Sequence, residues 1–278
     1  MAGLLAVLLV MAAGLGSTGC GRRTETGALT VAGSSSVHPL AQVLAEAYEK
    51  TGTDLCVDVQ SIDSTAGIQA AINGTANIGM SSRDLKTEEK QAGLAETVIA
   101  LDGIAVIVHP DNTISGLTKT QIQRIFKGEI LNWKEVGGAD APILVVSREE
   151  GSGTRGAFEE LMVLTEKTTK DGKTLTLSLL KQDALIAPST GEVKSNVLSK
   201  KDAIGYISIG SLSAEVKALA IDGTAATVAN VKNNTYPIKR PFLFLVKTPT
   251  DGTRDFIDYV LSKEGQALVA SKGFIPVQ

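Results

Sequence analysis

Residues 142–161, PILVVSREEGSGTRGAFEEL, pass from an apolar run into a glycine-rich turn and then into a segment with helical spacing. The turn contains GSGTRG at 151–156, a formal match to the dinucleotide-binding pattern G-x-G-x-x-G. A helix that starts after such a turn has free backbone N–H groups, and its dipole favours an anion there. The stretch predicts an α/β fold with an anion site, for a dinucleotide pyrophosphate or for some other anion.

The composition is that of a globular protein without an electrostatic preference for anions. The 278 residues are enough for one large α/β domain or two smaller ones. Hydrophobic residues make up 43% and charged residues 21%, which excludes a disordered chain. The net charge of −3 and the aromatic content of 4% argue against nucleic acid as a partner. Local geometry must therefore hold any anion.

The N-terminal segment resembles an export signal. It carries no charge before Cys20, and the apolar core at 4–15 is too short to span a membrane as a helix. Small residues lead into Cys20 as in a lipobox, although serine stands three positions before it, where leucine is usual. We expect a signal peptide at 1–19, a lipid anchor on Cys20, a polar tether at 20–28 and a location outside the cytoplasmic membrane. The alternative is a plain secretory signal with an incidental cysteine.

The rest of the chain alternates strand-like and helical patterns, which favours βαβ units and a mostly parallel sheet. Two strand-like stretches, 104–110 and 237–246, divide it into two α/β halves. Pro237 and Pro241 limit the second stretch to an edge or a crossover. The run 253–271 predicts one helix.

If that helix returns to the first half, both domains are discontinuous and two hinge strands join them around a cleft. The expected lobes are 29–106 with 240–278, and 107–239.

Four places share one local pattern, an apolar strand, then small hydroxyl or glycine residues, then a helix. They are AGSSSVHP at 32–39, SIDSTAG at 61–67, GMSSRD at 79–84 and SREEGSGTRG at 147–156. A single such turn is usually only a helix cap. Four of them, three in one half and one in the other, predict convergence on one small oxyanion from both walls of a cleft.

The surroundings of the glycine turn favour that small oxyanion over a dinucleotide. A dinucleotide site needs an acidic residue about 20 positions further on, at the end of the next strand. Asp171 has the distance but lies in a polar turn, TTKDGKT. Arg148, three residues before Gly151, puts a guanidinium fork beside the turn, which suits a compact oxyanion.

Several segments together resemble the PstS-type phosphate-binding receptors of bacterial ABC importers. They are GSSSV at 33–37, STAG at 64–67, LTKTQIQRIFKGEILNWKEVGG at 117–138, REEGSGT at 148–154 and AIGYISIG at 203–210. The similarity runs from about Leu29 to the C-terminus. It implies a class II periplasmic-binding-protein fold that closes on dehydrated phosphate, a monomer without cofactor, and delivery to a membrane permease.

The resemblance also implies hydrogen-bond donors on both lobes and a positive charge on the second. The positions are Ser35, the backbone at Ser36, Ser64, Arg148, Ser152, Gly153 and Thr154.

The resemblance is less specific about which residue accepts a hydrogen bond from the phosphate proton. Long members of the family carry an aspartate in the third turn, where this chain has Ser82 and then Arg83, as shorter members often do. The resemblance then moves the acceptor to Asp102; the alternative is a hinge-proximal Asp102 paired with Arg83, and both can hold. A buried carboxylate accepts a hydrogen bond from protonated phosphate and repels fully ionised sulfate.

Other functions remain as alternatives. A phosphoester hydrolase or a phosphate sensor could use the same fold, but the only histidines, His38 and His109, both precede proline, and no G-x-S-x-G occurs. No cluster at metal-ligand spacing is present in the sequence. These features favour a receptor that is not an enzyme. A receptor for sulfate, molybdate or tungstate is the nearer alternative.

Overall fold

The computed structural model describes residues 27–170 and 173–277. The strands are β1 (Ala28–Ser34), β2 (Cys56–Ile62), β3 (Ile78–Ser81), β4 (Ala95–Val108), β5 (Gly116–Leu117), β6 (Leu144–Arg148), β7 (Thr165–Lys170), β8 (Lys173–Ser178), β9 (Leu185–Ala187), β10 (Ala203–Ser208), β11 (Lys217–Ala218), β12 (Ala220–Ile221) and β13 (Lys239–Val246). The helices are α1 (His38–Glu49), α2 (Ser64–Asn73), α3 (Thr87–Lys90), α4 (Lys119–Lys127), α5 (Gly153–Leu161), α6 (Thr190–Ser199), α7 (Val228–Lys232), α8 (Asp251–Leu261) and α9 (Lys263–Ser271).

The long strand β4 carries the main sheet from one half of the molecule to the other. The strand order is β2-β1-β3-β13-β4-β10-β6-β9. β13 pairs antiparallel with residues 95–103 of β4, and β10 pairs antiparallel with residues 104–108. β1 is parallel to β2 and β3, and β6 is parallel to β10 and β9. Adjacent segments of β4 and β13 therefore join the halves.

Each half has its own hydrophobic core. In the first half, Leu40 of α1 and Phe256 of α8 belong to the buried cluster around the sheet. In the second half, Phe126 and Phe158 pack on Tyr206, and the Phe158 and Tyr206 rings stack with centroids 4.0 Å apart. Residues 104–108 of β4 are fully buried in this second core, as expected for a strand covered on both faces.

The prediction of two α/β halves joined by two strands is confirmed. Pro241 lies at the crossover, as its sequence position predicts. It stands opposite Leu101 of β4, whereas β3 pairs only with residues 243–245 of β13. The missing N–H of Pro241 therefore removes no hydrogen bond to β3.

The prediction of one helix over 253–271 is wrong. The segment forms α8 and α9, which Ser262 separates with extended backbone (φ −65°, ψ 166°). Its Oγ accepts the Gly265 N–H at 3.2 Å and caps α9. A Cβ at Gly265 would lie 2.3 Å from the Tyr259 carbonyl oxygen, so the missing side chain lets the two helices meet closely.

The N-terminal predictions concern residues that the structure does not describe. The signal peptide, Cys20 and most of the tether lie outside the described residues, as does Asp171. In the part that is described, no helix has the length and apolar character needed to cross a bilayer. The lobe boundaries at 106/107 and 239/240 stay predictions.

Candidate functional site

Buried hydroxyl groups from the two halves meet between them. Ser36 Oγ lies 2.7 Å from Thr154 Oγ1 and 3.0 Å from Thr190 Oγ1, so hydrogen bonds cross from the first half to the second. We call the following residues the hydroxyl cluster: Ser34, Ser36, Ser64, Ser82, Thr154 and Thr190. Each of them is at least nine-tenths buried.

The first-half hydroxyls are linked to one another and touch the start of α5. Ser34 Oγ donates to Ser82 Oγ at 2.8 Å, and the Ser82 N–H donates to Ser64 Oγ at 3.2 Å. A Cβ at Gly153 would lie 2.2 Å from Ser64 Oγ and 2.7 Å from Ser82 Oγ. The backbone of α5 comes this close because residue 153 has no side chain.

Helix starts surround the hydroxyl cluster. Ser64 and Thr190 are the first residues of α2 and α6, Thr154 is the second residue of α5, and Ser36 lies two residues before α1. The first N–H groups of a helix lack acceptors within it and form the positive end of its dipole. Four such ends around one set of hydroxyls make a site suited to an anion.

Arg148, at the end of β6, adds a guanidinium to the site and is 1% exposed. Its Nε and Nη2 donate to the two carboxylate oxygens of Glu149 at 2.9 and 2.6 Å, and Nε also donates to the Ala187 carbonyl at 3.2 Å. Nη2 donates to Ser35 Oγ at 3.2 Å, and Nη1 donates to Thr190 Oγ1 at 3.4 Å. The fork thus contacts hydroxyls from both halves.

A second guanidinium, Arg240 of β13, lies where the strands cross between the halves. Its Nε and Nη2 donate to Asp102 Oδ2 at 3.0 and 2.9 Å, and Ser208 Oγ donates to Asp102 Oδ1 at 2.9 Å. Nη1 donates to Thr154 Oγ1 at 2.8 Å and to the Ser82 carbonyl at 3.3 Å. Arg240 therefore connects the hinge strands to both sides of the hydroxyl cluster.

The Arg240–Asp102 pair is buried on all sides, with 3% and 1% of the residues exposed. Burial raises the pKa of the Asp102 carboxyl, and the Arg240 charge and the Ser208 hydrogen bond act against that rise. Burial lowers the pKa of the Arg240 guanidinium, and Asp102 acts in the opposite direction. Removing either partner alone would leave an unpaired buried charge, which is strongly destabilising.

Arg83 does not pair with Asp102, so that alternative prediction is wrong. Its Nη1 and Nη2 donate to the two oxygens of Glu89 at 2.7 and 2.8 Å. Burial raises the pKa of the Glu89 carboxyl, but the hydrogen bond from Arg83 and further contacts hold it below its ordinary value overall. Asp102 instead pairs with an arginine far away in sequence.

The remaining predicted residues lie at the edge of the hydroxyl cluster. Ser152 caps α5, with its Oγ accepting the Arg155 N–H at 3.3 Å. Ser35 is half-buried and accepts from Arg148. Among the hydrogen bonds of the described residues, those of Arg83 and Asp102 do not reach the cluster directly.

Sequence reasoning missed Arg240, Thr190, Ser34 and Ser208. Thr190 had a signal, since PSTGEV at 188–193 has the same pattern of hydroxyl residues before a helix as the four turns at 32–39, 61–67, 79–84 and 147–156. Arg240 had a weaker one, as a charge beside the apolar run FLFLV at 242–246. Ser34 lies in the turn AGSSSVHP at 32–39 but was not singled out among its serines. Ser208 had no signal, because it ends a strand whose neighbours only the fold reveals.

Within residues 27–170 and 173–277, no group of three or more histidine, cysteine or acidic side chains could hold a metal ion. His109 lies just beyond β4 and accepts a hydrogen bond from the Asp111 N–H at 3.1 Å.

Comparisons with known proteins identify the family of this chain and several relatives. The model of the PBP superfamily domain matches residues 20–264. A Clostridium perfringens protein solved with bound phosphate is 44% identical, with a TM-score of 0.84 over 91% of this chain and 100% of that chain. An ABC-type phosphate transport receptor from Vibrio cholerae is 38% identical, with a TM-score of 0.73 over 89% and 99%. The phosphate-binding protein PstS of Bacillus subtilis is 31% identical over 99% of this chain and 92% of its own.

Proposed function

Because this chain belongs to the PBP superfamily, among its PstS-type phosphate-binding proteins, we propose that the hydroxyl cluster and Arg148 bind inorganic phosphate between the two halves. The observation that carries the proposal is the contact of Ser36 with Thr154 and Thr190 across the cleft. An oxyanion placed there receives hydrogen bonds from both halves at once, so binding favours the closed arrangement.

Hydrogen bonds rather than net charge would hold the ligand. Glu149 neutralises Arg148, and Asp102 neutralises Arg240. What remains for an anion is a set of hydroxyl donors, the guanidinium N–H groups and the first-turn amides of Gly153 and Thr154. Such a neutral, preorganised site is suited to a small ligand that must also be released.

Selectivity depends on how the site treats a protonated oxyanion. Phosphate near neutral pH keeps a proton that it donates, and sulfate does not. We retain Asp102 as the proposed acceptor. Its two oxygens receive hydrogen bonds from Arg240 and Ser208 in this structure, so a direct contact requires one of them to be displaced.

Membership of the family supports a role in delivering phosphate to a transporter. We propose that a monomer, with lobes 29–106/240–278 and 107–239, hands phosphate to the membrane permease of an ABC importer. We place it outside the cytoplasmic membrane, held by lipid on Cys20 after removal of residues 1–19. Turnover of phosphoesters is not part of the proposal.

Titration calorimetry with phosphate, sulfate and molybdate tests this function. We expect micromolar or tighter phosphate binding, about −8 kcal/mol or better, and no heat from sulfate. Arg148→Ala should abolish binding, Arg148→Lys should bind weakly, and Arg124→Ala, at an exposed ion pair on α4, should bind as the wild type does. Equal binding of sulfate contradicts the selectivity. Phosphoester hydrolysis lost in Ser152→Ala would favour an enzyme instead.

A further inference from the structure

The hydrogen-bond direction at Thr154 is fixed by Arg240. A guanidinium N–H can only donate, so Thr154 Oγ1 must accept from Arg240 Nη1 at 2.8 Å. The hydroxyl proton of Thr154 is then available for a second partner, which in this structure is Ser36 Oγ at 2.7 Å. A bound oxyanion would take the place of that partner.

Two other hydroxyls, those of Ser82 and Ser64, also have a protein donor behind the oxygen. Ser82 Oγ accepts from Ser34 Oγ, and Ser64 Oγ accepts from the Ser82 N–H. The hydroxyl protons of Ser82 and Ser64 are therefore not used by these hydrogen bonds, which matches the acceptor oxygens of an anion. At Thr154 alone the donor behind the oxygen is a charged side chain from a strand that joins the halves.

Asp102 holds Arg240 in the position that this requires. It accepts hydrogen bonds from Nε and Nη2, which leaves Nη1 as the group that reaches Thr154. Ser208 anchors the other carboxylate oxygen from β10. Arg240 and Asp102 lie on adjacent strands, opposite each other in the antiparallel pairing of β13 with β4.

We propose that Arg240, held by Asp102, is a positioning residue that orients the Thr154 hydroxyl as a donor to a bound oxyanion. This role rests on the proposed anion binding but goes beyond it, because it makes the affinity for the anion depend on the arrangement of the strands that join the halves. A change in how β4 and β13 lie against each other moves Nη1 away from Thr154 and weakens the site.

A double-mutant cycle tests this role. The double variant Asp102→Asn/Arg240→Gln removes both charges and avoids an unpaired one. It is combined with Thr154→Val and, as a matched control that keeps the hydroxyl, with Thr154→Ser. Phosphate Kd is measured by calorimetry for every protein, with circular dichroism and thermal melting to verify folding.

We expect the double variant to bind phosphate about 10- to 100-fold more weakly, as for loss of a hydrogen bond to a charged group. Thr154→Val should weaken binding similarly, and adding the double variant to it should raise Kd by a smaller factor than in the wild type, because the part of the loss that acts through Thr154 is already gone. The loss of Asp102 as a proton acceptor would persist in both backgrounds. In the Thr154→Ser background, the double variant should weaken phosphate binding as much as it does in the wild type. Losses that multiply in the Thr154→Val background, or no loss in the double variant, overturn the proposal.

Three further results each have a defined consequence. If the double variant does not fold, Arg240→Lys replaces it in the same cycle, because lysine keeps the charge but lacks the fork that reaches both partners. If the wild type binds another oxyanion and not phosphate, phosphate binding is refuted and the cycle is run with that oxyanion. If it binds no oxyanion, both proposals are overturned.

Discussion

Gly153→Ala should weaken phosphate binding without weakening the fold. Residue 153 begins α5 in the second half, and a Cβ added there would enter the first half, 2.2 Å from Ser64 Oγ and 2.7 Å from Ser82 Oγ. Turning the Ser64 hydroxyl aside is not enough, because Ser64 Cβ would itself lie 2.9 Å away. The methyl group therefore opposes only the state in which the halves are in contact.

The magnitude follows from the overlap. Ordinary carbon–oxygen contacts are no shorter than about 3.4 Å, so the halves must move apart by roughly 1 Å, and overpacking of this kind costs about 1–3 kcal/mol. That range corresponds to about a 5- to 150-fold rise in Kd. In the unfolded chain, alanine has less conformational freedom than glycine, which stabilises the fold by about 0.4–1 kcal/mol at a compatible position.

The assay combines calorimetry with thermal melting in the absence of ligand. Gly191→Ala is the matched control, because it also lies in the first turn of a helix at the site, where a Cβ would be 3.8 Å from its nearest neighbour. We expect higher Kd and equal or higher Tm for Gly153→Ala, and little change in Kd for Gly191→Ala. Wild-type affinity in Gly153→Ala would refute the view that this contact belongs to the ligand-bound state.

Three further predictions concern stability, each measured by urea unfolding. Glu89→Gln should lower the free energy of unfolding by about 2 kcal/mol at pH 7. This difference between wild type and variant should disappear as the pH drops below the ordinary pKa of 4.5, because Arg83 holds the folded-state pKa lower and that stabilisation is lost on protonation. A difference that does not change with pH would contradict the ion pair. Gly265→Ala should destabilise by about 1–3 kcal/mol, since its Cβ would overlap backbone carbonyls of the preceding helix, and an unchanged midpoint would contradict the close packing of α8 on α9. Phe158→Ala should cost about 3–5 kcal/mol through loss of its stack on Tyr206, whereas a loss below about 1 kcal/mol would show that the second core repacks.

Local patterns in the sequence were enough to predict the elements that bring ligand groups to one place. The strand–hydroxyl–helix turns at Ser36, Ser64 and Thr154 depend on residues adjacent in the chain, and the structure places all three in the hydroxyl cluster. The same pattern occurs before Thr190, where PSTGEV at 188–193 leads into α6.

Pairings between distant residues could not be predicted in this way. Asp102 and Arg240 are 138 positions apart and meet only because β4 and β13 run antiparallel in one register. The sequence offered pairing with Arg83 as the alternative to an acceptor role for Asp102, but Arg83 pairs with Glu89, six residues later. The hairpin of β7 and β8 was also not predicted, although it had a local signal, the Asp-Gly dipeptide at 171–172 between its strands.

The glycine turn shows why a correct local pattern can suggest the wrong ligand. In a dinucleotide site the glycines make room for a pyrophosphate. Here the space beside Gly151 is taken by the Asp63 carboxylate, 2.5 Å from where a Cβ would lie, and the space beside Gly153 by Ser64. The Thr65 N–H and hydroxyl both donate to the Gly151 carbonyl at 3.1 Å, so the turn is also a hydrogen-bonded contact between the halves. The glycines at these positions therefore allow another part of the same chain to approach closely, and the space that a pyrophosphate would need beside them is occupied.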